Sequence, residues 1–266
     1  MKDPVYFVHI SDTHIGPTAD YARHGYRPLP HALKLVDLIN NLPQKPDFVI
    51  HTGDVVTEPD PDSYQIAASV FAQLKVPIYY VTGNHDRSRD IKKYLPMGPK
   101  TDLTDDPDLL SYLFTVRDDR FLVVDSRAPD ELDPQGIITQ AQFKILEEEI
   151  RTQTAFFTVF VHHPTWAMNS EWMDKNMLLL NGEKFHKTLK GGRYRLRGVF
   201  HGHIHQHMQT IHSGIVYTSV ASTFAQFAAW PDDQEAREVP DPPGFNFVHL
   251  LPDQMLVHQH TFERPE

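Results

Sequence analysis

Short apolar runs in the first third of the chain predict buried β-strands. The runs VYFVHI (5–10), DFVIHT (47–52) and PIYYVT (77–82) are brief and rich in β-branched and aromatic residues. The segments between them carry apolar residues at the spacing of one helical face. A strand–helix–strand–helix–strand order of this kind predicts parallel strands that are joined by helical crossovers.

Two amphipathic helices are expected in those crossovers. The first is predicted over residues 31–42, between Pro30 and Pro43, with an apolar stripe formed by Leu33, Val36, Ile39 and Leu42. The second is predicted to follow Asp62 as its N-cap residue, with an apolar stripe formed by Ala67, Ala68, Phe71 and Leu74. Each stripe would face the sheet.

The second half of the chain is richer in predicted strands. Segments 111–117 and 121–125 flank a polar turn and predict a hairpin, and Thr139 with Gln142 forms a capping-box pattern at a helix start. Further strands are predicted at 156–161, 195–201, 206–211, 215–220, 245–251 and 255–261. The expected fold class is α/β, as a four-layer α/β/β/α sandwich of two mixed sheets flanked by helices, in a single domain over residues 1–266.

Composition narrows the expected partners and surroundings. The 266-residue chain has 35 acidic and 25 basic side chains, and its formal net charge of −10 argues against a nucleic-acid polymer as partner. It contains no cysteine, which excludes disulfides and thiolate metal sites. The first residues lack a signal-peptide pattern, and no apolar run approaches the length of a membrane span. We therefore expect a cytoplasmic protein with no membrane partner.

Polar residues follow five of the predicted strands. The first three strands run into SDTH (11–14), GD (53–54) and GNHD (83–86), and two later strands run into HHP (162–164) and GHIH (202–205). Ligands in open α/β sheets collect at the carboxyl ends of parallel strands. The five strands are therefore expected to deliver Asp, Asn and His side chains to one crevice.

The kinds of side chain in this crevice narrow the metal. Oxygen from Asp and Asn with nitrogen from His, without sulfur, suits Mn, Fe, Zn or Co. A dedicated Mg²⁺ or Ca²⁺ site would rely more on oxygen. Asp12, His14, Asp54, Asn84 and three later histidines are too many ligands for one four-coordinate ion, whereas two ions that share a carboxylate would use them all. Metal pairs about 3.5–4 Å apart are a common device for hydrolysing phosphate esters.

The order of these motifs resembles that of a known superfamily. D-x-H, GD, GNHD, HH and GHxH, each placed after a strand, look like the five motif blocks of the calcineurin-like metallophosphoesterases. The resemblance covers residues 5 to about 220. GD and HH alone are common, and GNHD and GHxH are moderately specific, but all five in this order are highly specific.

The resemblance implies seven metal ligands in two sets that share one carboxylate. The ligands of the first ion would be Asp12, His14 and His205. The ligands of the second ion would be Asn84, His162 and His203. The bridging carboxylate would be Asp54.

The resemblance also implies how these residues act. A hydroxide held between the two ions would attack phosphorus in line, because metal binding lowers the pKa of water toward neutrality. His85 would face the leaving-group oxygen, as proton donor or charge stabiliser. Asp86 would orient His85, since a neighbouring carboxylate fixes the tautomer of an imidazole.

Other histidines near the motifs are open to two interpretations. For His201 and His207, ordinary strand packing or support of the ligands is favoured over metal ligation. His163 lies beside His162, and the alternation of adjacent strand residues between faces favours His162 as the ligand. His9 and His51 lie within strands and are predicted to be core histidines.

Within the superfamily, the chain is similar to bacterial class III cyclic-nucleotide phosphodiesterases and related glycerophosphodiesterases. The similarity rests on the spacing of the blocks, on segment 125–150 and on the pair Met173 and Asp174. Purple acid phosphatases carry a tyrosine where this chain has Thr57. The implied function is hydrolysis of phosphodiester bonds in small molecules, either cyclic nucleotides or glycerophosphodiesters.

Two alternatives to this function are kept. One is a phosphomonoesterase with the same dinuclear site. The minor one is a catalytically silent scaffold, which is disfavoured because none of the expected ligands is missing. Related enzymes are often dimers, so a homo-oligomer is kept beside a monomer.

Three loops carry side chains that could contact a substrate. They span residues 16–30, 164–176 and 221–230, and the selected candidates are Arg23, Arg27 and Trp172. A guanidinium can neutralise phosphate, and an aromatic face can stack on a base. The alternative for these residues is ordinary loop packing or a homodimer contact.

Overall fold

A computed structural model describes residues 3–265 of the chain. The strands in chain order are β1 (Val5–Ile10), β2 (Phe48–His51), β3 (Ile78–Tyr80), β4 (Thr101–Asp102), β5 (Tyr112–Val116), β6 (Asp119–Val123), β7 (Phe157–Phe160), β8 (Leu196–His201), β9 (Gln209–His212), β10 (Ile215–Ser219), β11 (Gln226–Phe227), β12 (Glu238–Val239), β13 (Gly244–Leu250) and β14 (Met255–Thr261). The helices are α1 (Pro28–Asn40), α2 (Pro61–Phe71), α3 (Ser88–Tyr94), α4 (Gln140–Thr152), α5 (Glu171–Asn176) and α6 (Gly182–Lys190), with a 3₁₀ turn at Asp130–Leu132. Within residues 3–265, no helix has the length and apolar character needed to span a bilayer.

Two mixed sheets contain most of the strands. The order in the first sheet is β14–β13–β1–β2–β3, and β1, β2 and β3 run parallel. The order in the second is β4–β5–β6–β7–β8–β10–β9, with β6, β7, β8 and β10 parallel. β11 and β12 form a separate ribbon. The five predicted motifs therefore follow the C-terminal ends of parallel strands, as expected.

Aromatic side chains fill the space between the two sheets. Phe7 of β1 makes edge-on contacts with Phe121, Phe160 and Phe200 of the facing sheet, with ring centroids 5.2–6.1 Å apart. All four rings are fully buried. Burial of one such side chain stabilises the fold by about 1.5–3 kcal/mol. This packing fixes the distance between the strand ends that carry the motifs.

Helices cover the outer faces of both sheets. Leu35 and Ile39 of α1 and Phe71 of α2 belong to the core that includes the first sheet. Phe143 of α4 and Phe185 of α6 belong to a second core on the outer face of the other sheet. The arrangement is the expected four-layer α/β/β/α sandwich, and the predicted fold class is confirmed.

Local predictions for the hairpin and for one helix start are also confirmed. β5 and β6 pair antiparallel over Tyr112–Val116 and Asp119–Val123. At the start of α4, the Thr139 hydroxyl accepts a hydrogen bond from the Gln142 N–H, and the Gln142 side chain accepts one from the Thr139 N–H.

Three details of the predicted helices are wrong. α1 begins at Pro28 instead of residue 31, because a proline at the first position has a helical φ and needs no partner for an N–H. Its buried stripe includes Leu35, whereas Leu33 is 40% exposed. Asp60 caps α2 in place of Asp62, since its carboxylate accepts the first free N–H groups.

Candidate metal centre

Side chains from the motif loops meet at the carboxyl ends of the parallel strands. Asp54 Oδ2 lies 3.6 Å from His14 Nε2 and 3.4 Å from His162 Nε2. His205 Nε2 lies 3.3 Å from His14 Nε2 and 3.4 Å from Asp12 Oδ1. One carboxylate oxygen thus lies between ring nitrogens of both predicted ligand sets, which is the position that a bridging ligand needs.

The remaining two predicted ligands lie on the His162 side of Asp54. Asn84 Oδ1 is 3.2 Å from His162 Nε2. The ring of His203 is centred 4.7 Å from that of His162, and its Nε2 is buried without a hydrogen-bond partner. The structure therefore brings all seven predicted ligands together. A buried nitrogen without a partner is costly, and a metal ion bound at this position would satisfy it.

Four overlapping groups have potential ligand atoms within 4.8 Å of one another among the described residues. They are Asp12–His14–His205, His14–Asp54–His85, Asp12–Asp54–His162 and His162–His163–His203. The first group is the predicted first set. The last contains two members of the second set together with His163. This donor set of carboxylate and imidazole fits a first-row divalent cation.

Backbone carbonyls select the tautomer of two predicted ligands. His162 Nδ1 donates to the Thr52 carbonyl at 2.7 Å, and His205 Nδ1 donates to the Ala225 carbonyl at 2.8 Å. Because a carbonyl can only accept, the proton lies on Nδ1 in both rings. When the rings are neutral, the Nε2 lone pairs face the centre, as metal ligation requires.

Burial and charge set the protonation of the centre. Burial lowers the pKa of His14 and of His203 well below the ordinary histidine value, so both rings are neutral, as metal ligation would require. Burial alone would raise the pKa of Asp54, but the facing imidazoles, first of all His162, hold it well below its usual range. Burial opposes charge on His162 too, yet the Asp54 carboxylate raises its pKa to about 9. A metal ion at His162 would therefore displace a proton.

The backbone is strained at the predicted ligands. Among the described residues, nine non-glycine residues have a positive φ, and five of the nine are Asp12, His14, Asp54, His203 and His205. Such conformations cost about 1–3 kcal/mol each and persist only where the surrounding structure enforces them. Strain concentrated in this way is typical of functional sites.

Two motif glycines are required by close approach. A Cβ on Gly202 would lie 1.9 Å from Ser11 Oγ and 2.7 Å from Asp12 Oδ2. A Cβ on Gly53 would lie 2.4 Å from His162 Nδ1, and the φ of Gly53 is +106°. The glycines of GD and GHxH therefore let neighbouring strand ends approach until their ligands meet.

The prediction that Asp86 orients the His85 ring is wrong, because the Asp86 carboxylate binds backbone N–H groups instead. Its buried carboxylate accepts N–H groups of Val55, Val56 and Gly83, at 3.0–3.3 Å, and so joins two motif loops. The His85 ring instead donates from Nδ1 to the carbonyl of Thr57 at 2.9 Å. The next residue after His85 points its side chain into the protein because the loop turns there, so the two side chains do not form a dyad.

His85 itself lies beside two of the predicted ligands, His14 and Asp54. Its ring is centred 4.8 Å from that of His14, and its backbone N–H donates to Asp54 Oδ1 at 2.9 Å. The residue is only partly buried. With Nδ1 held by a carbonyl, Nε2 is the nitrogen that can face a substrate.

The reason given for choosing His162 over His163 as the ligand is wrong. Alternation between faces does not apply, because β7 ends at Phe160 and both residues lie beyond the strand. Both rings contact His203, with centroids 4.7 and 4.6 Å away. His163 Nδ1 shares a hydrogen bond of 2.8 Å with Ser126 Oγ. The choice of His162 as ligand stays a prediction, and it now depends on the contact of its Nε2 with Asp54.

The other histidines lie outside the four groups. His201 and His207 belong to none of them within residues 3–265, in line with the interpretation as supporting or packing residues. His9 and His51 are fully buried core residues, as predicted. A ring nitrogen of His51 lies 2.9 Å from the hydroxyl oxygen of Thr13, the residue between the predicted ligands Asp12 and His14.

The three candidate substrate residues have different surroundings. Arg23 reaches the centre, with Nη2 3.4 Å from His85 Nε2. Arg27 is exposed at the start of α1, and within the described residues no contact joins it to the centre. Trp172 is 7% exposed in an apolar cluster and makes a ring contact with Phe227. A stacking surface needs an open face, so Trp172 is a packing residue.

Several supporting residues escaped prediction. Thr57 holds His85 through its carbonyl and Arg23 through its hydroxyl. The Ser222 hydroxyl donates to the Asp12 carbonyl, and Phe227 stacks on His205 at 4.7 Å. Backbone carbonyls give no sequence signal. The only available signal for Thr57 was its position three residues after the GD aspartate.

Comparison with known proteins agrees with this geometry. A model of the calcineurin-like phosphoesterase family matches residues 5–207. The chain is 28% identical over 211 residues to a probable cyclic nucleotide phosphodiesterase of Psychrobacter arcticus, which covers 77% of this chain and 72% of that protein. It is 26% identical to a glycerophosphodiester phosphodiesterase of Enterobacter lignolyticus, over 95% of this chain and 90% of that protein.

A solved structure shows the same fold. The crystal structure of a dimetal phosphatase from Danio rerio superposes with a TM-score of 0.70 at 17% sequence identity, and the match covers 97% of each chain. The superfamily resemblance drawn from the motifs is confirmed. Since the family model covers most of its length, the chain belongs to the calcineurin-like phosphoesterase family.

Proposed function

We propose that the protein hydrolyses phosphodiester bonds in small molecules at a dinuclear metal centre. The observation that carries the proposal is the position of Asp54 Oδ2, 3.6 Å from His14 Nε2 and 3.4 Å from His162 Nε2. The predicted ligands would hold two ions drawn from Mn, Fe, Zn or Co, and such ions would supply an activated hydroxide and neutralise phosphoryl oxygens. The ligands are the two sets defined above, with Asp54 shared.

The chain's own residues complete the proposed chemistry. His85 holds its Nδ1 proton on the Thr57 carbonyl, so its Nε2 faces the leaving-group oxygen. As an imidazolium, His85 gives the Nε2 proton to that oxygen as the ester bond breaks. The Thr52 and Ala225 carbonyls keep two ligand rings in the tautomer that binds metal.

A diester is the proposed substrate class. The two bacterial relatives named above are described as a probable cyclic nucleotide phosphodiesterase and a glycerophosphodiester phosphodiesterase, which supports a small diester over a monoester. The acidic chain, with a net charge of −10, supports a small molecule over a nucleic-acid polymer.

The proposed location is the cytoplasm, and the absence of cysteine is consistent with it.

The test compares a diester with a monoester. Metal-stripped protein is reloaded with Mn²⁺ and assayed on bis(p-nitrophenyl) phosphate and on p-nitrophenyl phosphate, with His85→Ala prepared in parallel as the matched control. The proposal predicts a faster diester rate that depends on metal and on His85. Dominant monoester hydrolysis would favour the phosphomonoesterase alternative. A protein that binds two metal ions and hydrolyses neither compound, nor a panel of cyclic nucleotides and glycerophosphodiesters, would contradict the proposal.

A further inference from the structure

A tight turn carries Arg23 to the metal centre. Arg23 and Tyr26 exchange backbone hydrogen bonds of 2.8 and 2.9 Å, and the two residues between them, His24 and Gly25, have φ values of 52° and 76°. Positive φ at both central positions defines a type I′ turn, in which glycine is favoured at the second. The turn projects the Arg23 side chain toward His85.

The Arg23 guanidinium is held in one orientation. Its Nη1 donates to Thr57 Oγ1 at 3.0 Å, its Nε donates to His24 Nε2 at 3.3 Å, and its Nη2 lies 3.4 Å from His85 Nε2. A guanidinium has five N–H groups in a planar fork, so these contacts leave donors free on both terminal nitrogens. Nη2, which carries one of these donors, is the terminal nitrogen next to His85.

Contacts with three other residues fix the turn at residues 23–26 to the rest of the chain. His24 Nδ1 donates a hydrogen bond of 2.5 Å to a Glu238 carboxylate oxygen, and its ring stacks on Phe224 at 6.3 Å. The Arg264 guanidinium lies 4.6 Å above the ring of Tyr26. A side chain supported from three segments has already lost much of the conformational freedom that binding would otherwise remove.

The charges around Arg23 point to an anion. Within residues 3–265, none of the hydrogen bonds of Arg23 goes to a carboxylate. The predicted ligands include only two carboxylates, Asp12 and Asp54, so two divalent ions would leave the centre with net positive charge. A guanidinium oriented toward such a centre is stabilised when an anionic group lies between them.

We propose that Arg23 is a substrate-binding residue that donates to a non-bridging oxygen of the phosphoryl group, next to the leaving-group oxygen that His85 faces. The inference rests on the proposed function, because it assigns Arg23 to the same site. The contact would favour the substrate and, more strongly, a transition state in which negative charge grows on the phosphoryl oxygens. The alternative is that Arg23 only anchors the turn to Thr57.

The test uses three single variants of the Mn²⁺-loaded protein. Arg23→Gln removes the charge and keeps a donor, Arg23→Lys keeps the charge without the fork, and Arg27→Gln is the matched control in the same loop. Calorimetry measures binding of inorganic phosphate, kinetics measure kcat/KM on bis(p-nitrophenyl) phosphate, and metal analysis measures both ions in each variant.

We expect Arg23→Gln to lower phosphate affinity and kcat/KM by roughly 10- to 100-fold, the usual weight of a hydrogen bond to a charged group. Arg23→Lys should recover part of the loss, Arg27→Gln should change neither quantity, and all three should keep both metals. Unchanged phosphate affinity in Arg23→Gln, or an equal loss in Arg27→Gln, would overturn the proposal. Phosphate binding tests Arg23 even if the wild type hydrolyses no diester, so failure of the proposed function is distinguishable.

Discussion

Replacing Asp86 by asparagine tests whether this carboxylate holds the GD loop and the GNHD loop together by hydrogen bonds. Its Oδ1 and Oδ2 accept the N–H groups of Val55 at 3.1 and 3.2 Å, Val56 at 3.3 Å and Gly83 at 3.0 Å. Asparagine has the same shape but only one oxygen. At least one buried N–H would then face an amide NH₂, which costs about 1–3 kcal/mol.

The same change removes a buried charge, and the sign of that effect follows from the pKa. Burial, reinforced by the charge of Asp54, raises the pKa of Asp86 from 3.8 to about 6 in the folded protein. A carboxyl whose folded pKa is raised contributes its full stability below pH 3.8 and loses it as the pH rises through 6. At about pH 7.5 the ionised Asp86 therefore costs about 3 kcal/mol, which roughly offsets the lost hydrogen bond.

Denaturant unfolding of metal-free protein at two pH values measures this balance. Between about pH 4.5 and about pH 7.5, the wild type should lose about 2 kcal/mol more unfolding free energy than Asp86→Asn does. Metal titration measures the second consequence. Since Asp54 and Asn84 stand on the loops that Asp86 joins, the variant should bind metal roughly 10- to 100-fold more weakly.

One result would refute this reasoning. If Asp86→Asn binds both metal ions with wild-type affinity and loses only kcat, Asp86 acts on His85, and the loop-joining role is wrong. If the free energy of unfolding has the same pH dependence in the two proteins, burial does not raise the pKa of Asp86.

Two further predictions concern histidines with different roles. His85→Ala should keep both metals and lose roughly 10²–10⁴ in rate on a diester with a poor leaving group, as expected for a general acid, and full activity would remove His85 from the mechanism. Burial lowers the pKa of His51 to about 3, below the unfolded value of 6.5, so its contribution to stability is present above pH 6.5 and is lost as the pH falls toward 3. Between neutral pH and about pH 5, the wild type should therefore lose about 2 kcal/mol of unfolding free energy that His51→Gln does not lose. An equal pH dependence of unfolding in the two proteins would contradict this.

The parts of the site that follow strand ends could be predicted from sequence, because periodicity locates strands and parallel strands collect their C-terminal residues at one edge. This reasoning brings the SDTH, GD and GHIH motifs to one crevice, whereas the choice of Asp12, Asp54 and His205 as ligands is implied by the resemblance to the superfamily. The two-residue GD and HH motifs needed the whole ordered set to become informative.

The parts that failed depend on contacts that no local pattern encodes. Asp86 was assigned to His85 by adjacency, but its loop turns the carboxylate toward Val55 and Gly83, and a carbonyl of Thr57 takes its place. Trp172 has an aromatic side chain that could stack on a base, and only the tertiary fold shows that this side chain is buried. Side chains whose partners are distant backbone atoms are therefore the least predictable.

The most direct test of the account is anomalous diffraction from crystals of the Mn²⁺-loaded protein. The account predicts two peaks about 3.5–4 Å apart with Asp54 between them, one bound by Asp12, His14 and His205 and the other by Asn84, His162 and His203. A single peak, or a second peak bound by His163 in place of His162 and without Asp54, would contradict the assignment of a dinuclear centre that shares this carboxylate.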